Sequence, residues 1–214
     1  MFRGIVKTGV AFGVSLWLLV IVSLFVSPSG ASHASKSPPA ASGARRDLPR
    51  PAPIVVGEAD VELLRARDLM FPVPGFDRLK LHDSFEDPRD GGSRIHAALD
   101  IAAARGTPVL AVEDGTIARL HNSVGSGGLS VYHFDASATY CYYYAHLDRY
   151  APGLKDGVAI KKGDVVGYVG TTGNAPPNAP HLHFAIFKLG PEKRWGHGVP
   201  LNPFALWSSK RAAG

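Results

Sequence analysis

From Pro72 onward the apolar runs of this 214-residue chain are short, and each is closed by glycine, proline or a charged turn. A helix needs its apolar stripe sustained over about 10 or more residues, so this pattern favours strands. Residues 108–112 lead through Glu113, Asp114 and Gly115 into 116–118, which predicts a hairpin. Residues 129–134 and 139–146 predict a second strand pair. Residues 158–160 and 165–169, around Lys161-Lys162-Gly163-Asp164, predict a third, and 182–188 a last strand. The expected fold is mostly β, a compact antiparallel sheet, sandwich or barrel. Residues 58–69 carry Val61, Leu64 and Leu69 near helical spacing with acids in the first turn, and predict one short helix ahead of it. No glycine-rich phosphate loop leads from a strand into a helix, so no nucleotide is expected.

The N-terminal arm is different in kind. Arg3 and Lys7 precede residues 9–26, which are apolar or small apart from Ser15 and Ser23. As a helix this stretch reaches roughly 27 Å, close to the hydrocarbon thickness of a bilayer. It predicts a transmembrane anchor with residues 1–8 in the cytoplasm. A signal peptide is the competing reading, since Ser32-His33-Ala34 offers a cleavage pattern. Both readings put the folded part in the cell envelope: on the periplasmic side of the cytoplasmic (inner) membrane if anchored, secreted if cleaved. Residues 27–56, rich in Ser, Ala and Pro, predict a disordered linker. A folded domain is expected over 57–207 and a tail over 208–214.

Charge follows the same division. The net charge is +5, but residues 1–56 hold six basic residues against Asp47 alone, and the remainder is balanced. A globular nucleic-acid binder carries its basic surplus on the folded part, so no nucleic acid is expected as a partner. Cys141 is the only cysteine, which excludes an internal disulfide and a cysteine-rich zinc module. Its neighbours Tyr140, Tyr142, Tyr143 and Tyr144 predict a buried strand position for it.

Chemistry concentrates in the histidines. His96 and Asp100 stand four apart, an even separation that on an extended chain points both to one side. His181 and His183 stand two apart and project from one face of a strand. Imidazole and carboxylate donors suit Zn²⁺, and three protein ligands leave a fourth position for water. His146 ends the aromatic strand, where a structural residue is more often apolar. His33 lies in the linker, and His82, His121, His133 and His197 have no partner motif and are expected on the surface or in loops. Arg94 could bind a substrate carboxylate or be a solvated arginine at a strand end.

The run Arg94, His96, Asp100-Ile101, then 106–111, Asp114-Gly115, 144–147, Lys162-Gly163-Asp164, Gly167, Gly170, Gly173 and 180–184 resembles the M23 (lysostaphin/LytM-type) zinc metallopeptidases over about residues 72–207. The resemblance implies a compact antiparallel β-sheet with a groove, one zinc ion, and hydrolysis of peptide cross-links in peptidoglycan, whose stem peptides are the partner. It implies His96, Asp100 and His183 as zinc ligands and His146 and His181 as catalytic histidines that activate water and stabilise the oxyanion, with their individual roles open. No His-Glu-x-x-His helix is present to supply a glutamate base. Ala98 stands where a glycine is usual, and Ala185 replaces a common acidic residue.

A non-catalytic, wall-binding or hydrolase-activating relative is the alternative. Retention of all five positions, and the lack of a long coiled-coil region, argue against it. A carrier-type hairpin around 158–167 explains none of the histidines. Control by a partner protein is left open, as is the bond cleaved.

Overall fold

The computed structural model describes residues 55–208. The proposed anchor 9–26, most of the linker 27–56 and most of the tail 208–214 lie outside the described residues. Among the described residues no helix is long and apolar enough to cross a membrane.

The short helix, α1 (Glu58–Ala66), stops three residues before the expected end. Its first turn is acidic, the Asp60 carboxylate accepts from the Gly57 N–H at 3.1 Å, and Leu64 enters the core. Eleven strands follow: β1 (Pro88–Arg89), β2 (Arg94–Ile95), β3 (Leu99–Ala102), β4 (Pro108–Leu110), β5 (Gly115–Ser123), β6 (Gly128–Asp135), β7 (Tyr140–Tyr150), β8 (Ala159–Ile160), β9 (Val165–Val169), β10 (His181–Lys188) and β11 (Val199–Leu201), before the one-turn α2 (Phe204–Trp207). β1 and β2 form a small ribbon of their own. The other nine make one sheet in which β11, β10, β7, β6, β5 and β8 are successive neighbours, β3 pairs β10, and β9 joins β4 to β7. Every pairing is antiparallel.

Two expected hairpins are corrected. β4 does not pair β5 but β9, and β8 does not pair β9 but β5. The two turns that should have closed those hairpins face each other instead. Asp114 accepts from the Lys162 backbone N–H at 2.8 Å and from Lys161 Nζ at 2.9 Å, while Ala111 exchanges backbone hydrogen bonds with Gly163 and Asp164. The exchange places Val109, Ala111, Ile160 and Val166 in the core. The central pair of β6 and β7 is as expected, with both strands longer.

Side-chain alternation divides the sheet into two faces. Tyr140, Tyr142 and Tyr144 of β7 and Leu182, Phe184 and Ile186 of β10 are buried on one face, with Leu64 and Trp207 in the same core. The Phe184 and Trp207 rings lie 5.5 Å apart, and the Trp207 indole N–H donates to the Leu69 carbonyl at 3.2 Å. On the other face stand His181 and His183 of β10 and Tyr143 of β7, which line a groove.

Candidate metal centre and active site

The groove, about 770 Å³, gathers all five residues singled out as ligands or catalytic histidines. The register of β10 on β3 sets His183 opposite Asp100. Asp100 Oδ1 lies 3.2 Å from His183 Nδ1 and 3.1 Å from His96 Nε2, and the two nitrogens are 2.9 Å apart. His96 and Asp100 do not share a strand, contrary to the alternation argument. β2 ends at Ile95, β3 begins at Leu99, and Ala97 between them is left-handed at φ 58°. That bend brings the pair together.

Backbone carbonyls fix three of the four imidazoles. His96 Nδ1 donates to Ser84 O at 2.9 Å, His146 Nδ1 to Thr172 O at 2.8 Å, and His181 Nδ1 to Ala179 O at 2.8 Å. A carbonyl only accepts, so each Nδ1 holds the hydrogen and each Nε2 is a lone pair in the neutral ring. His146 stands in β7 at a bulge opposite Leu129 and Val131. Its backbone is left-handed at φ 58°, and its N–H donates to Gly127 O at 2.8 Å. Such a conformation costs about 1–3 kcal/mol for a residue other than glycine and persists where the surroundings enforce it. It packs the His146 ring 4.9 Å from His181 and 5.5 Å from His183.

The electrostatics follow from burial. His146 is 6% exposed, and burial pushes its pKa down to about 4 against the Thr172 hydrogen bond, so it is neutral at pH 7. Burial likewise lowers His183, opposed by Asp100. Burial alone would raise Asp100, but the His183 and His96 imidazoles beside it outweigh burial and hold the carboxyl well below the usual carboxylate range.

Two imidazole nitrogens and one carboxylate oxygen, all aimed at one point, form a donor set that can hold a metal ion. His96, Asp100 and His183 are the group among the described residues arranged in this way. Tetrahedral zinc ligands about 2.0 Å from the ion stand about 3.3 Å apart, and the sides of this triangle come within a few tenths of an ångström of that value.

The profile of peptidase family M23 matches residues 94–203, half of the chain and the whole span from β2 to β11. The chain belongs to peptidase family M23. An L-Ala–D-Glu endopeptidase of Bacillus subtilis is 34% identical over 131 residues, which are 58% of this chain and 40% of that protein. The DD-carboxypeptidase/endopeptidase Mpg of Neisseria meningitidis is 33% identical over 114 residues, 53% of this chain and 23% of the relative. The chain thus spans less than half the length of either relative. Among solved structures, a putative glycyl-glycine endopeptidase LytM from Ruminococcus gnavus superposes with a TM-score of 0.53 at 28% identity, covering 66% of this chain and 60% of the other. Membership of the M23 family accounts for the antiparallel sheet.

The remaining sequence candidates separate cleanly. Tyr143 is the tyrosine that borders the groove, its ring 5.9 Å from His183, while Cys141 is buried with its thiol pKa pushed up to about 12 by burial. His82 and His197 lie in exposed loops, as expected. His133 does not: contrary to the expected surface or loop position, it is a fully buried strand residue on β6. Arg94 is exposed and paired with Asp90 at the groove edge. Ser84, Arg89 and Thr172 hold the site's side chains, and no spacing or residue type in the sequence marks them.

Proposed function

We propose that this M23 peptidase is a zinc-dependent endopeptidase that hydrolyses peptide cross-links of peptidoglycan. The observation that carries this reading is the triangle of His96 Nε2, Asp100 Oδ1 and His183 Nδ1 in an open groove shared with two further imidazoles. One Zn²⁺ held by these three residues would supply Lewis acidity and a water of pKa near 7. The stem peptide lies along the groove past Tyr143, with its scissile carbonyl beside His146 and His181. His146, kept neutral by burial and with Nε2 free, takes the proton from the attacking water. That proton passes to the nitrogen of the leaving amine as the amide C–N bond breaks. His181, less buried and also with Nε2 turned inward, is assigned to the carbonyl oxygen, where negative charge develops. The activities of the relatives, on L-Ala–D-Glu and DD bonds, support the wall peptide as substrate class. With residues 9–26 as an anchor, the domain works on the outer side of the cytoplasmic membrane.

The test is incubation of the full-length protein with purified peptidoglycan, followed by mass spectrometry of the released peptides. Zinc-loaded protein should generate new amino termini, and a chelator should abolish them. His146→Ala and His181→Ala should each lower turnover by about 10²- to 10⁴-fold with zinc retained. No new amino termini from zinc-loaded wild type, on walls of several cross-link types, contradicts the reading.

A further inference from the structure

Asp100 has two carboxylate oxygens, and only Oδ1 faces His96 and His183. Oδ2 accepts from Arg89 Nη2 at 3.0 Å. This is the ion pair that Arg89 makes among the described residues, whereas Arg94, its register partner on the same ribbon, is paired with the exposed Asp90. One two-stranded ribbon therefore leads directly into His96 and also supplies the cation that grips the carboxylate next to it. The Asp100 backbone is held from the same direction: its N–H donates to Ser84 Oγ at 3.1 Å, and the Ser84 carbonyl is the acceptor that orients His96.

A carboxylate with both oxygens free can close on a metal ion through both, and a hydrolytic zinc site must keep a position open. A guanidinium is a rigid fork that occupies one oxygen directionally, which an ammonium point charge does less well. We propose that Arg89 is a positioning residue of the metal centre: by occupying Asp100 Oδ2 it confines the carboxylate to a single contact with the ion, through Oδ1. The inference rests on the zinc reading above, and its prediction concerns the metal itself rather than turnover alone.

The experiment compares full-length wild type, Arg89→Gln and Arg89→Lys. Zinc affinity is measured by competition with a chromophoric chelator, and Co²⁺ is substituted for its visible spectrum, which weakens as coordination rises from four to five. Arg89→Gln should bind zinc about 10- to 100-fold more weakly. Its Co²⁺ absorption should fall as Asp100 gains a second contact. Arg89→Lys should recover part of both signals. Thermal unfolding of the three metal-free proteins should coincide, because the Arg89 side chain is 34% exposed at the groove edge. Unchanged zinc affinity and spectrum in Arg89→Gln overturn the proposal, and a raised KM for peptidoglycan with the metal undisturbed assigns Arg89 to the substrate instead. A wild type that binds neither ion overturns the zinc reading and this inference together.

Discussion

Backbone carbonyls orient His96, His146 and His181 in the groove, whereas His133 lies on the opposite face of the sheet. His133 is fully buried, its Nδ1 is 3.3 Å from the Tyr144 hydroxyl, and its Nε2 has no hydrogen-bond partner. Burial pushes its pKa down to about 4, against the pull of Asp135 and Asp114. The unfolded histidine titrates near 6.5, so the stability that His133 allows is complete above that pH and is lost as pH falls towards about 4. Between pH 7 and pH 5 this one group removes about 2 kcal/mol. His133→Leu should lose that much less over the same interval in urea unfolding, and an equal loss in both proteins contradicts the assignment. Strand alternation alone does not separate His133 from His146, since each sits in an alternating, aromatic strand; the motif at residues 144–147 does. A bulge at His146, set by its contact with Gly127 and by the loop at Thr172, turns one ring into the groove, and those partners are long-range.

Strands and turns were legible as elements, but not all as partners. Residues 165–169 fall on β9 as expected, yet β9 pairs β4 and β7 because the turns at Asp114 and Lys162 bond to each other. The same kind of long-range contact holds the site. At Gly173, φ is 77° and an added Cβ would stand 2.0 Å from Ser126 O and 2.3 Å from Gly128 N, where the turn between β5 and β6 meets the loop that orients His146. Gly173→Ala should push these apart and lower kcat about 10-fold or more, equivalent to about 1.4 kcal/mol of lost orientation, with zinc still bound. Gly153→Ala is the matched control. It has the same φ of 77° but open space around it, so it should cost about 1 kcal/mol of backbone strain and leave kcat unchanged. Equal effects of the two substitutions on kcat contradict the account. His181 and His183 were placed by period-two alternation on β10, whereas the meeting of His96 and Asp100 depends on the left-handed Ala97, which no spacing rule gives.

At the scale of the whole molecule, the donor triangle joins segments 87 residues apart, with β3 and β10 as its frame. A ligand that binds only this folded arrangement stabilises it by about 2.7 kcal/mol at 100 times its Kd. Zinc at that level should raise the unfolding temperature of the full-length chain by roughly 5–10 °C over the chelated protein, and an unchanged midpoint argues against a folded-state site. The family was legible because its motifs occur in order along the chain; the holders Ser84, Arg89 and Thr172 were not, because a carbonyl or a guanidinium acquires its role only through the fold. The most direct measurement is zinc content by elemental analysis, with cleavage of purified peptidoglycan, for wild type beside His183→Ala. One zinc per chain and chelator-sensitive cleavage in the wild type, both lost in the variant, is the predicted result; zinc and cleavage retained without His183 would contradict the proposed centre.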